Sequence, residues 1–66
     1  MTKDEAIVEM IKGKAVTHRY FIEGEYIKMN SAGNIVTEEG HSIRYDLFWS
    51  IRDGKGWLTD WNIHIE

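Results

Sequence analysis

The residues in this 66-residue chain with the most capacity for chemistry are three histidines, three arginines and a dense set of aromatics. His18, His41 and His64 could in principle supply three imidazoles to a metal, since the neutral ring is a common ligand. None of them sits at the short local spacing of zinc motifs, and their surroundings do not match one another, so ordinary surface or half-buried histidines are the simpler reading. Arg19, Arg44 and Arg52 present planar donor forks suited to phosphate or carboxylate, although each has acids nearby that could engage it in modest surface pairs. Tyr20, Phe21, Tyr26, Phe48, Trp49, Trp57 and Trp61 could offer faces to a nucleobase, worth about 1–3 kcal/mol per stacked base. Small domains also need large rings to build a core. Most of the seven are therefore assigned to packing, with Trp57, beside Gly54 and Gly56, as the ring most open to solvent. No serine lies in a nucleophile elbow, no glycine-rich phosphate loop precedes a helix, and the chain has no cysteine. The chemistry expected is binding rather than catalysis, with no cofactor.

Size sets the next constraint. A chain of this length buries only about 60% of its unfolded surface, so its core barely offsets chain entropy. Disulfides and thiolate zinc sites are excluded by composition, which leaves self-association as the leading source of extra stability. A ligand pocket of about 300–1,000 Å³ is also hard to leave open inside so small a core. A shared site between identical subunits is the natural alternative.

The formal charge of -3 disfavours duplex nucleic acid as a partner. No apolar run approaches the roughly 20 residues needed to cross a bilayer. Thr-Lys-Asp-Glu after Met1 is unlike an export signal. These features lead to the expectation of a soluble, cytoplasmic protein forming one domain over residues 1–66.

The elements that must position these side chains are legible in outline. Thr2-Lys-Asp-Glu5 is a capping box. Ala6, Ile7, Met10 and Ile11 then share one helical side, Gly13 provides a left-handed stop, and Lys12 suits the negative helix end, so the spacing predicts a helix over about 3–12. Residues 15–22 are β-branched and aromatic and predict a strand, with Val16, His18, Tyr20 and Ile22 on one face and Thr17, Arg19 and Phe21 on the other. Tyr26–Met29 and Asn34–Thr37, joined by Asn30-Ser-Ala-Gly33, predict an antiparallel hairpin that Glu38-Glu39-Gly40 closes. Residues 44–51 predict one or two helical turns, capped by Ser42 or Asp46, and Asp53-Gly-Lys-Gly56 a loop. From Trp57 to Glu66, Trp61, Ile63 and Ile65 alternate with polar residues, predicting a strand with one dry face that runs to the final residue. The fold class is α+β: an N-terminal helix packed on a small antiparallel sheet of three or four strands, with a short second helix.

Read together, three blocks carry a family likeness. They are Glu5-Ala6-Ile7…Met10…Gly13-Lys14…Val16…His18-Arg19-Tyr20-Phe21, then Glu25-Tyr-Ile-Lys-Met29…Gly33…Ile35-Val-Thr37, and finally Leu58-Thr-Asp-Trp61-Asn-Ile63. The combination resembles a group of small phage and prophage proteins similar to the Thoeris anti-defence family, oligomeric sponges that sequester nucleotide-derived immune signals. The family's usual Trp after the basic position is replaced here by Tyr20-Phe21, and the longer central insertion of many members is missing. The resemblance implies a homo-oligomer in the cytoplasm of a bacterial host that binds a nucleotide-derived small molecule without cleaving it. The matching positions that would line its site are His18, Arg19, Tyr20, Phe21, Asp60 and Trp61. Arg19 would hold a phosphate, and Tyr20 or Trp61 would stack on the base. The rival expectation, from a different class, is a small inhibitor or interaction module acting on a host protein.

Overall fold

The computed structural model describes residues 1–65. Helix α1 (Lys3–Ile11) begins at the expected capping box: the Glu5 N–H donates to the Thr2 hydroxyl, and the Thr2 N–H donates to the Glu5 carboxylate at 2.8 Å. Both bonds satisfy donors that a helix start otherwise leaves bare. The Thr2 bonds also hold the Glu5 carboxyl below its ordinary titration range. At the other end Gly13 takes φ +94°, a conformation that costs glycine nothing and strains other residues. Ala6 and Met10 are buried and Ile7 is half-buried, but Ile11 is exposed, so the apolar side of α1 is narrower than its sequence suggests.

Five strands, β1 (Val16–His18), β2 (Ile27–Met29), β3 (Ile35–Thr37), β4 (Ser42–Ile43) and β5 (Trp61–Ile63), form one sheet in the order β4-β3-β2-β1-β5. Every pairing is antiparallel. The last strand in sequence thus lies against the first, with Val16 opposite Ile63 and His18 opposite Trp61. The hairpin between β2 and β3 turns where expected. Gly33 adopts φ +84°, and the Asn30 carboxamide oxygen accepts from the Ala32 and Asn34 N–H groups, both at 3.0 Å. Strand β4 was not anticipated; two residues are too few to show a period, and pairing with β3 defines it.

Helix α2 (Tyr45–Ser50) falls inside the expected segment. Its cap is not the one expected: Arg44 occupies that position without a side-chain bond, and the Asp46 carboxylate accepts from the adjacent Leu47 N–H. A 3₁₀ turn (Lys55–Trp57) interrupts the loop that follows. Both helices contribute to the same core, in which Met10, Val16, Ile27, Ile35, Phe48, Trp49 and Trp61 interlock.

The final strand is shorter than its alternation implied. Trp61 is fully buried, but Ile63 is 37% and Ile65 87% exposed, so the dry face shrinks to one residue; the last position, Glu66, lies outside the described residues. What fixes β5 is its place between β1 and the chain start. The Met1 amino group donates to the Trp61 carbonyl at 2.6 Å, the Trp61 N–H donates to the Met1 carbonyl at 3.1 Å, and the Lys3 N–H donates to the Leu58 carbonyl at 2.9 Å.

Trp61→Ala should remove about 3–5 kcal/mol, a large share of what a domain this small holds, and urea denaturation should show little or no folded baseline. Glu5→Ala should lower the melting temperature at pH 7. Because the native Glu5 carboxyl is depressed, its contribution is present above the unfolded carboxylate range and is lost as pH falls through the native value. The melting-temperature gap between the two proteins should therefore narrow in acid.

Candidate functional site

His18 organises the end of the sheet where the family-like residues meet. It is 3% exposed, and its ring is tied to backbone on both sides. Nδ1 accepts from the Tyr20 N–H at 3.0 Å, which places the ring proton on Nε2. That Nε2–H lies 2.8 Å from both the Gly56 and the Thr59 carbonyls and is shared between them. The ring therefore bridges the exit of β1 to the loop that leads into β5.

The same bonds end β1 early. With the Tyr20 N–H turned to the His18 ring and the Phe21 N–H donating to the His18 carbonyl at 2.9 Å, residues 19–22 leave the sheet. The expected alternation beyond His18 fails as a result: Phe21 packs against the core, while Tyr20 and Ile22 are exposed.

All six family-like positions are gathered at this end, in two groups. His18, Phe21 and Trp61 point inward, with the His18 centroid 4.6 Å from that of Trp61 and 6.1 Å from that of Phe21. Trp61 also donates its indole N–H to the Trp57 carbonyl at 2.8 Å. Fully buried in this way, Trp61 has no face open for a base, and His18 has almost none. Arg19, Tyr20 and Asp60 lie outside. Arg19 Nη1 stands 3.8 Å from Asp60 Oδ2, and both side chains are exposed, so this pair contributes little. Asp60 carries the only positive φ among the described non-glycine residues, +69°, at the bend that delivers Trp61 to the sheet.

The outer surface is built around Tyr20, Gly56 and Trp57. Tyr20 is 59% exposed, and its ring lies against the Gly56 backbone so closely that a methyl group there would run into the hydroxyl and ring edge. The half-buried Trp57 meets Tyr20 edge-on, with centroids 5.1 Å apart at 83°. Arg52 completes the arrangement from the end of α2. Its guanidinium carbon sits 4.0 Å over the Phe48 ring and 5.4 Å from that of Trp57. Burial lowers its pKa, partly opposed by the charge of Glu25. Trp57 was expected to be the ring most open to solvent, but it is half-buried against the core and Tyr20 is the exposed one. Arg52 was one of three donor forks named from the sequence, with nothing there to set it apart; the role of Gly56 was not visible, and its one available signal was a glycine pair immediately before a tryptophan.

The histidines do not converge: His41 is exposed, and His64 stacks on Tyr26 at 4.4 Å and 20°. Among the described residues, no group of three or more metal-ligating side chains is arranged to hold an ion. Two open surface grooves, of about 330 and 370 Å³, lie elsewhere, the first between Met10, Ile11 and Met29, the second among Ile22, Glu23, Glu25, Glu38 and Glu39. Comparison of the chain with protein-family models, curated proteins and solved structures finds no match.

His18→Leu would strand one donor and leave two carbonyls short of a partner, at a cost of about 1–3 kcal/mol for each group left buried without one. The loop should loosen before the whole molecule does. Limited trypsin digestion should then cut after Lys55 well before other sites, whereas a wild-type cleavage pattern would show that the ring does not hold the loop.

Proposed function

We propose that this chain is a phage-type anti-defence protein that binds and sequesters a nucleotide-derived immune signal without cleaving it. The observation that carries this reading is the exposed Tyr20 ring, set edge-on to Trp57 over Gly56, with the Arg52 guanidinium 5.4 Å from the far partner, the Trp57 ring. An aromatic face for a base beside a donor fork for a phosphate is the minimum a nucleotide requires. Six positions of the Thoeris-like blocks, His18, Arg19, Tyr20, Phe21, Asp60 and Trp61, lie at this same end of the fold. Stacking then falls to Tyr20 and Trp57, while Trp61 supports them from beneath.

The surface is shallow, so a second copy of the chain closes over the ligand in a homo-oligomer within the cytoplasm of the bacterial host. No helix of the described residues is long and apolar enough to cross a membrane, and the reading requires none.

A panel of cyclic nucleotides and ADP-ribose derivatives tests this proposal. A ligand at 100 times its Kd should stabilise the folded protein by about 2.7 kcal/mol, and mass spectrometry should recover it intact. Tyr20→Ala should abolish the shift while keeping the fold. If no compound raises the melting temperature, the signal-binding reading fails for these ligands; if one is recovered cleaved, sequestration fails.

A second reading is supported by a different observation. Leu47, Ile51 and Leu58 are all more than half exposed, an apolar presentation suited to a small inhibitor of a host protein. One stoichiometric protein captured from host lysate with no co-purifying nucleotide would favour it.

A further inference from the structure

We propose that Arg52, rather than Arg19, is the residue that holds the anionic group of the ligand, so that the site takes a phosphate or pyrophosphate against the Trp57 side of the aromatic surface. The inference rests on the nucleotide-binding reading for its base but not for its anion. Among the three arginines, Arg19 is matched by Asp60 at 3.8 Å and Arg44 by Asp46 at 3.5 Å, and all four side chains are largely solvated. A solvated pair has little to gain from a further anion.

Arg52 is in a different situation. It is half-buried, and among the described residues it enters no ion pair. Its one side-chain bond runs from Nη1 to the Phe48 carbonyl at 3.2 Å, and Nε is buried without a partner. Glu25, whose charge it feels, is not within ion-pair distance, and the Glu25 Oε1 atom accepts from the Ile22 N–H. A cation partly removed from water is costly unless an opposite charge compensates it. Stacking on Phe48 and proximity to Trp57 recover part of that cost. The rest is available to an incoming anion, and among the described residues the Nη2 group has no protein acceptor and is the donor such an anion would meet.

Of the lysines, Lys55 is exposed beside Gly56 with no ion pair or ring contact among the described residues, a solvated ammonium and not a planar fork; others are engaged elsewhere. Lys12 and Lys14 both approach Glu9, at 3.1 and 3.6 Å, and Lys3 lies over the Trp49 ring at 4.4 Å. Arg52 is thus the guanidinium that combines partial burial, ring contacts and no acid partner.

Inorganic pyrophosphate is the probe, titrated into the full chain at low ionic strength. In wild-type protein the buried Arg52 Nε–H should give an observable side-chain NMR resonance that shifts with saturation; disappearance of the signal in Arg52→Lys assigns it. Pyrophosphate affinity should fall on the order of ten-fold or more in Arg52→Gln, as expected for loss of a charge-assisted contact. Arg52→Lys should recover only part of it, and Arg19→Gln should stay within about two-fold of wild type.

Near-UV circular dichroism checks that the variants keep the aromatic packing, and the wild-type NMR titration stands even if one of them does not fold. An Arg52 resonance that stays still through saturation, a larger loss in Arg19→Gln, or no pyrophosphate binding by wild type overturns the inference. Pyrophosphate binding through Arg52 without tighter binding of any nucleotide would leave the anion site standing and defeat the nucleotide reading alone.

Discussion

The His18 ring is the constraint on which the candidate-site end of this fold depends. One small side chain receives a backbone N–H from the segment leaving β1 and gives its own N–H to two carbonyls in the loop entering β5. A backbone ladder does little of this work: among the described residues, outside the strands, the one backbone bond between the two segments runs from the Arg19 N–H to the Asp60 carbonyl at 3.2 Å. Buried irregular backbone has to find partners, and here an imidazole buried among four other aromatic rings supplies them. Because donor and acceptor roles are divided between its two nitrogens, an aliphatic residue of similar size cannot reproduce the arrangement.

The position of Trp61 follows from that anchorage. The strained Asp60 backbone turns the chain into β5, and Trp61 then fills the space between α2 and the sheet, 5.5 Å from Trp49 and 5.7 Å from Phe21. Its backbone pairs with Met1 on one side, and its strand pairs with β1 on the other. The two ends of the sequence are therefore parts of one structural unit, and the core is completed only when the last strand docks. Long sequence separation of this kind makes folding slower than a local helix-and-hairpin design would be.

Much of this was legible in the residues, wherever local chemistry decides local structure. The capping box at Thr2 and Glu5, the left-handed Gly13, the Asn30–Gly33 turn and the short helix near residues 45–50 were all readable because each is specified within a few positions. The α+β class followed from them. The sheet was less legible. Its strands are two or three residues long, so alternation was read past their true ends at His18 and Ile63, as far as Ile22 and the final residue, and β4 gave no period at all. Long-range hydrogen bonds, not β-propensity, decide where these strands stop. At the candidate site the cluster of His18, Phe21 and Trp61 with Arg19, Tyr20 and Asp60 could be named from motif likeness. Which of them face inward could not, since that depends on the turn imposed by the His18 ring. Gly56 was hidden because the ring it meets, Tyr20, is 36 residues away, and Arg52 could be named as a fork but not told from Arg19 and Arg44, since its contacts with Phe48 and Trp57 arise only on folding.

Core volume makes the proposed recognition a surface matter. Trp61, Phe48, Met10, Ile27, Ile35 and Val16 are all almost completely buried and occupy the space between the helices and the sheet. Enlarging that space to admit a planar ring would mean deleting one of them, and a domain with so small a margin does not tolerate a cavity of that size. The rings left over from packing lie at the lip of the core: Trp57 half-buried, Tyr20 outside it, and Arg52 lodged against both Phe48 and Trp57. A ligand resting there gains contact from one side only. Affinity then depends on a specific charge contact at one end of the aromatic surface and on whatever covers the other face. A second copy of the same chain is the cover that the proposed sponge supplies, since symmetry gives it an identical shallow surface to close.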